Sequence, residues 1–311
     1  MTQEIAGCDV SKHALDVAML DSGEAARFDN DAAGLKRLLS WLRRRGVAVV
    51  GLEPSGGYER GAVKALLAAG FDVRFADARR VRRLAEAHNA PAKTDTIDAR
   101  FIARFIAETG GRAIVLDPAR ESLRELMAAR RNLIEAAVRL QQQAAGIEAP
   151  PARRALERQV KRLQAEAKAM EAAALAHVRD NQTLVREARL LMSAPGVGPI
   201  VAATLLAEMP ELGRLNGKQA ARLAGLAPYV RESGQWKGRA TIGGGRKPVR
   251  NLIYLAAMAA KRHCSAARLF FDRLIAAGKP KMVALTALMR KLVTALNAIL
   301  RDQKPWREAA A

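Results

Sequence analysis

Val47-Ala48-Val49-Val50-Gly51-Leu52-Glu53 is an unbroken apolar run that stops at an acid. Six apolar residues without alternation read as a strand covered on both faces. Glu53 then stands where the strand leaves the core, and Pro54-Ser55-Gly56-Gly57 reads as the turn that follows. Upstream, residues 31–45 carry Leu35, Leu38, Leu39 and Leu42 at helical spacing. Residues 5–10, 15–20 and 25–29 read as three short strands, with Asp21-Ser22-Gly23 as the hairpin turn between the last two. Downstream come a helix at 58–69, a strand at 71–75 and a strongly basic helix at 79–88. Strands alternating with helices predict an α/β sheet with helices on its faces over 1–115.

The next stretch is Lys93-Thr94-Asp95-Thr96-Ile97-Asp98-Ala99-Arg100, which runs into Phe101, Ile102, Phe105 and Ile106 at helical spacing. On a helix, Asp95 and Asp98 share a face. Two converging carboxylates repel each other unless a cation lies between them. Asp9 sits near the end of the first strand and Glu53 at the end of a central one, where ligands of such sheets gather. Four acids from three segments supply only hard oxygen ligands, which suit Mg²⁺ better than zinc. Two such ions, roughly 3.5–4 Å apart, can clamp the attacking and leaving oxygens of a phosphodiester. Asp16, Asp21, Glu59 and Asp77 take ordinary turn or helix-surface readings.

Lys+Arg minus Asp+Glu is 52 − 31 = +21, with a pI near 10.9. The cations are spread along the chain, so the expected partner is a polyanion, meaning nucleic acid; a membrane surface is the weaker alternative. Aromatics make up 4%, which argues against base stacking as the main recognition device. Cys8 and Cys264 have no partner at zinc-ligand spacing, and the four histidines form no metal motif. A reducing cytoplasm, in association with the nucleoid, is the expected location. The N-terminus lacks the layout of a signal peptide. The longest apolar runs, 200–207 and 252–260, are too short to span a bilayer.

Residues 116–189 change character. Leu123, Arg130, Ala137 and Ala144 recur at seven, as do Leu126, Leu133, Leu140 and Ile147. A second seam follows Gly146 and Pro150-Pro151: Leu156, Leu163, Met170, His177 and Leu184, with Val160, Ala167, Ala174 and Asn181 between. Two heptad helices and a short loop predict a long antiparallel coiled-coil hairpin. Residues 190–311 read as all-α. In them Gly196-Val197-Gly198 precedes a helix whose first N–H groups are free to hold a phosphate, or forms a plain tight turn. Residues 227–247 form a basic, glycine-rich loop with Arg231, Lys237, Arg239, Arg246 and Lys247. With Lys93, Gly196 and Gly198, these are the candidate nucleic-acid contacts. Ser233, before Gly234 in that loop, reads from its neighbours alone as a turn serine, since nothing nearby in sequence activates it.

Three stretches, Asp9-Val10-Ser11-Lys12, Glu53-Pro54-Ser55-Gly56-Gly57-Tyr58 and Lys93-Thr94-Asp95-Thr96-Ile97-Asp98-Ala99, resemble successive acidic motifs of one family. It is the DEDD-type transposases of bacterial insertion sequences, the IS one-ten group, which includes the Piv DNA invertase. Pro195-Gly196-Val197-Gly198, Gly225-Leu226-Ala227-Pro228 and Glu232-Ser233-Gly234 resemble its C-terminal domain. The resemblance implies a RuvC-like, RNase H-type domain (1–115), a coiled-coil arm (116–189) and a C-terminal transposase domain (190–311). It implies Mg²⁺ on Asp9, Glu53, Asp95 and Asp98, and Ser233 as a nucleophile forming a phosphoserine link to DNA. For some members it also implies a structured guide RNA that pairs with target and donor DNA. Relatives often carry a basic residue soon after the Ile that follows the Ser-Gly loop; here Ile242 is followed by three glycines.

The expectation is therefore a DNA transposase or recombinase acting on donor and target DNA. Its site is composite, assembled in a homodimer or homotetramer. Two alternatives stand beside it: a metal-dependent junction nuclease that uses water, and a non-catalytic nucleic-acid-binding protein.

Overall fold

The computed structural model describes residues 4–88, 95–114, 117–229, 232–233, 236–237 and 241–307, with backbone alone at 95–97, 232–233 and 236–237. The chain divides into two compact units, Met1–Leu116 and Asp117–Ala311.

The first unit runs β1 (Glu4–Val10), β2 (Ala14–Met19), β3 (Ala25–Asp29), α1 (Ala32–Arg44), β4 (Val47–Leu52), α2 (Arg60–Ala68), β5 (Asp72–Phe75), α3 (Ala78–Ala87), α4 (Asp95–Thr109) and β6 (Arg112–Ala113). Its six strands lie in the order β3-β2-β1-β4-β5-β6. β1 pairs with β2 antiparallel and with β4 parallel, and β4 pairs with β5 parallel. This mixed sheet is RNase H-like, as the acidic motifs led us to expect. The two-residue edge strand β6 has no sequence periodicity and escaped prediction.

Alternation along the strands sorts the two faces. Ala6, Cys8, Val10, Leu15, Val17, Met19, Val50 and Leu52 pack with Leu38, Trp41, Leu42, Val63 and Leu66 of α1 and α2. On the other face Val49 packs with Val81 of α3 and Ile102, Phe105 and Ile106 of α4. β4 is thus covered on both sides, which is why its sequence shows no polar alternation. α1 starts where Asp31 accepts the Gly34 N–H at 2.7 Å, an N-cap that satisfies one orphan donor of the first turn.

The second unit opens with α5 (Pro118–Ala145) and α6 (Pro150–Asp180). Asp117 caps α5 and Pro118 fills its first turn, where a missing N–H costs nothing. The two helices run antiparallel: Arg130 meets Glu171 at 2.8 Å, and His177 Nε2 lies 2.8 Å from the Ala119 carbonyl oxygen. The polar intrusion at Arg130 is therefore answered by an acid on the opposite helix. His177 engages backbone. Leu123, Met127, Ala174 and Val178 share a core with the helices that follow.

Those are α7 (Gln182–Met192), α8 (Pro199–Glu208) and α9 (Gly217–Leu223). Four two-residue strands come next: β7 (Pro228–Tyr229), β8 (Glu232–Ser233), β9 (Trp236–Lys237) and β10 (Thr241–Ile242). α10 (Lys247–His263), α11 (Ser265–Ala276) and α12 (Lys281–Asp302) complete the unit. An all-α reading of 190–311 thus needs correction. β10 pairs with β7 and β8 with β9, both antiparallel. Two-residue ladders are too short to show a period-2 pattern.

α12 is long and apolar enough by length and composition to cross a membrane, and 56% of its apolar window is buried. Ala284, Leu285, Leu288, Leu292, Leu296 and Leu300 place it in the helical core. Arg290 and Lys291 interrupt its apolar sequence.

Candidate active site

The site begins with two glycines. Gly7 and Gly51 are register partners on β1 and β4. A Cβ on Gly7 would stand 2.0 Å from the Ala99 carbonyl oxygen and 2.5 Å from the Ala103 nitrogen. One on Gly51 would stand 2.4 Å from Ile106 Cγ1. α4 therefore lies directly on a patch of bare backbone across the two central strands. Each glycine precedes an acid by two residues, Gly7 before Asp9 and Gly51 before Glu53. Strand periodicity puts Asp9 on the face that α4 covers.

Register aligns the acids. Cys8 pairs with Leu52, so one further step sets Asp9 beside Glu53. On the other side Asp9 is the antiparallel partner of Asp16, and Asp16 of Arg27. Directly opposed residues point to the same face. Arg27, Asp16 and Asp9 thus form one row across three strands, and Glu53 extends it. Asp16 is 7% exposed, and Arg27 Nη1 lies 3.4 Å from its Oδ1. Sequence reading passed over Asp16 as ordinary; pairing it with Asp9 needs the hairpin register.

Asp98 is half-buried, one residue before Ala99 and hence beside the Gly7 contact. Asp95 begins α4; its side chain lies outside the described residues, as does Lys93 altogether. Among the described residues, no three acids, histidines or cysteines close into a group that could hold a metal ion.

Two residues outside the predicted set shape the loops that carry the acids. Glu59 is buried, and its Oε2 accepts the Ser55 N–H at 3.0 Å, the Ser55 hydroxyl at 2.7 Å and the Gly57 N–H at 2.8 Å. Burial by itself would raise its pKa. The hydrogen bonds from the Ser55 hydroxyl and the surrounding backbone prevail and hold the carboxyl below its usual range. Glu59 is thus the staple of the turn after Glu53. Asn30 Nδ2 donates to the Ser11 carbonyl oxygen at 2.9 Å and to that of Tyr58 at 3.1 Å. It ties the loop after Asp9 to the loop after Glu53. An acid at the end of a Gly-Gly turn could have signalled Glu59; nothing local signals Asn30. Behind the row, on the opposite face, burial and then the nearby charges of Asp9 and Asp16 push the Cys8 thiol far up, so it stays protonated.

In the second unit Ser233 lies on β8, opposite Trp236 on β9. The side chains of Ser233 and Lys237 are not among those described, and Arg231 and Arg239 lie outside the described residues. The frame of the hairpin is clear. A Cβ on Gly245 (φ +60°) would stand 2.2 Å from the Gly225 nitrogen, and Arg250 Nη1 donates to the Gly244 carbonyl oxygen at 2.9 Å. The glycines after Ile242 thus let two backbone segments touch. Arg246 donates to both carboxylate oxygens of Glu211, each at 2.6 Å. A bidentate internal partner thus holds that guanidinium, and its expected contact with nucleic acid would have to share it with Glu211. Lys247 is exposed at the start of α10. Gly196 (φ +79°) is explained by packing, since a Cβ there would stand 2.1 Å from the Ala256 carbonyl oxygen. Gly198 caps α8 in open space.

Comparison with known proteins identifies the family. The DEDD-type IS110 family model, described as Transposase, matches residues 6–147 and so takes in all four acids. A second, described as Transposase IS116/IS110/IS902 family, matches residues 188–272, which include Ser233. The 43.6 kDa protein of insertion element IS110 from Streptomyces coelicolor is 35% identical over 115 residues, covering 36% of this chain and 28% of that protein. The 42 kDa protein of IS900 from Mycobacterium paratuberculosis is 33% identical over 131 residues, covering 40% and 32%. The 44.8 kDa protein of IS116 from Streptomyces clavuligerus is 32% identical over 149 residues, covering 42% and 35%. The matched stretches thus span about a third of those relatives. Two solved chains of RuvC from Thermus thermophilus, one in complex with a Holliday junction substrate, are each 17% identical. They cover 36% of this chain and 99% and 100% of their own, with TM-scores of 0.29 and 0.25. With a family model on the acidic sheet unit and another on the helical unit that carries the Ser-Gly hairpin, this chain belongs to the IS110 group of insertion-sequence transposases.

Proposed function

We propose that this protein cuts and rejoins DNA as the transposase of an insertion sequence. Asp9, Glu53, Asp95 and Asp98 would hold divalent metal, and Ser233 would act as nucleophile. One observation carries the reading: Asp9 and Glu53 end neighbouring parallel strands in register, on the face covered by the helix that opens with Asp95 and Asp98. Opposed carboxylates such as Asp9 and Asp16 destabilise a sheet unless cations offset them. Arg27 supplies one positive charge to that row, beside Asp16. The donor set is all carboxylate oxygen, which fits Mg²⁺.

Bound there, two Mg²⁺ ions would polarise the scissile phosphate and favour ionisation of the attacking hydroxyl. The chain's own part is as follows. Ser233 Oγ forms a bond to phosphorus while the bond from phosphorus to a sugar oxygen breaks, and the serine proton ends on the departing hydroxyl. The resulting phosphoserine diester is resolved when a sugar hydroxyl of another strand end attacks phosphorus and releases Ser233. Asp9, Glu53, Asp95 and Asp98 would hold the cations beside the phosphate. Glu59 and Asn30 keep the loops after Glu53 and Asp9 in place. The nucleophile and the acids lie in different units, which favours a site shared between protomers of a homodimer or homotetramer. The α5–α6 hairpin, read as a coiled-coil arm, would be the device that assembles it.

The remaining parts of the reading are a structured guide RNA alongside donor and target DNA, and a cytoplasmic, nucleoid-associated location. The net charge of +21 supports a polyanionic partner of either kind. Incubation with DNA bearing element ends, Mg²⁺ and co-purified RNA should yield a covalent protein–DNA adduct that Ser233→Ala abolishes. Cutting that persists in Ser233→Ala without an adduct would instead establish water as the nucleophile. Wild-type recombination after replacement of Asp9 would exclude the acidic centre. Parallel RNase treatment tests the guide.

A further inference from the structure

A cavity of about 910 Å³ opens between α9 and α12, and neither the four acids nor Ser233 is among its lining residues. Small side chains, Ala221, Ala295 and Ala298 among them, leave its floor flat. Lys218, Arg290 and Lys291 line it, and Trp306 forms a wall. Among the described residues, none of these three cations is in an ion pair; Lys291 Nζ lies 4.6 Å from the centre of the Phe270 ring. All three are exposed. Lys218 sits in the first turn of α9, where the helix already presents partial positive charge. Arg290 and Lys291 interrupt the most apolar long helix of the chain. Trp306 is held in place: Gln303 (φ 53°) ends α12 in a left-handed turn, the backbone N–H of Trp306 donates to Ser193 Oγ at 2.7 Å, and its side chain packs in part against the helical core.

An aromatic wall, a flat floor and three cations with no carboxylate among the lining residues suit an unpaired nucleobase flanked by phosphates. A protein partner would need acids in the same positions. We propose that this cavity binds a single-stranded nucleic-acid segment, one base stacking on Trp306 and its neighbouring phosphates paired with Lys218, Arg290 and Lys291. The proposal rests on the nucleic-acid reading above, but its failure is distinguishable, because binding is read without cleavage.

The test uses the full chain without Mg²⁺ and fluorescein-labelled oligothymidylate, oligouridylate and a duplex of equal length. Lys218→Gln/Arg290→Gln should weaken binding to single strands about 10-fold and flatten the salt slope by roughly 1.4, two phosphate contacts' worth. Trp306→Leu should weaken it at least about 5-fold, while Trp306→Phe stays near wild type. Lys161→Gln, on the exposed face of α6, is the control. Equal loss for thymidylate and uridylate marks the shared chemistry; loss confined to one identifies the source. Photocrosslinks from 5-iodouracil should map to the peptide containing Trp306. Unchanged affinity and salt slope in the folded double variant would overturn the proposal, as would crosslinks confined to other peptides. Loss equal for the duplex would overturn the single-strand assignment. Because the Gln variants lie on the surface, the test stands even if Trp306→Leu misfolds.

Discussion

Gly7→Ala adds one methyl group between β1 and α4, at the point where the acidic row meets its covering helix. The new carbon would lie 2.0 Å from the Ala99 carbonyl oxygen, whereas ordinary contact begins near 3.4 Å. The backbones must therefore part by about 1.4 Å, since no side-chain rotamer can relieve a clash between backbone atoms. Forced overpacking of this kind costs about 3 kcal/mol, at the upper end of the usual range because the obstacle is rigid. The same displacement moves Asp98 away from Asp9. A misplacement of about 1 Å in a reacting constellation lowers activity by roughly 100-fold. Gly51→Ala is the internal comparison. Its added methyl would meet Ile106 Cγ1 at 2.4 Å, a side chain that can be shortened. Urea unfolding followed by Trp41 fluorescence, in a Trp236→Phe/Trp306→Phe background, reports the first unit. Yield of the Ser233–DNA adduct reports the chemistry. Ile106→Ala should restore much of the stability lost in Gly51→Ala and none of that lost in Gly7→Ala. A Gly7→Ala protein with wild-type midpoint and wild-type adduct yield would refute the idea that α4 rests on bare strand backbone.

Further outcomes follow from the loops and the hairpin frame. Asn30→Ala removes the two hydrogen bonds that join the loops after Asp9 and Glu53. It should cost about 1 kcal/mol and raise the Mg²⁺ concentration needed for half-maximal adduct formation; an unchanged Mg²⁺ requirement would mean that it does not position the acids. Glu59 has a folded pKa below its unfolded value near 4.3, so its contribution to stability is complete above about pH 4.3 and fades as the pH falls through the folded pKa. Glu59→Gln should therefore flatten the pH dependence of urea stability below pH 4.3; an identical slope in the variant would contradict the staple. The Arg246–Glu211 pair should show a coupling energy of about 1–2 kcal/mol in a double-mutant cycle. Arg246→Ala should leave the salt slope of DNA binding unchanged, and a slope reduced by about one phosphate would return Arg246 to the interface.

The acids were legible because each stands next to a strong pattern. Glu53 follows a buried strand, and Asp95 and Asp98 open an apolar-striped helix. Arg130, the polar residue in the heptad seam, was legible as an intrusion, though its answer at Glu171 required the pairing of α5 with α6. Asp16, Asn30 and Glu59 were not legible in their roles. Each acts through a partner fixed by register or by a loop, and a single sequence carries no record of register until the hairpins are laid out. The pairing of Arg246 was hidden for the same reason: a cation in a glycine-rich loop looks solvent-facing until Glu211, 35 residues upstream, is brought beside it. The two-residue ladders around Ser233 were invisible because their length gives periodicity nothing to act on.

One signal was present and unused. Gly7-Cys8-Asp9 and Gly51-Leu52-Glu53 share the pattern of glycine, buried apolar residue, acid. A glycine inside a strand weakens it, so two in neighbouring strands ahead of two acids need a reason. The structure supplies it. Both glycines face α4 and let it descend onto the sheet, the buried residues between them anchor the opposite face, and the acids emerge two positions on, on the helix side. A side chain at either glycine would hold the helix further from the sheet, and with it the carboxylates at the helix start. The spacing of two is thus set by the strand repeat: one repeat to seat the helix, the next to present the acid. Under the proposed function, the depth of α4 sets whether carboxylates from strand and helix come close enough to serve one phosphate.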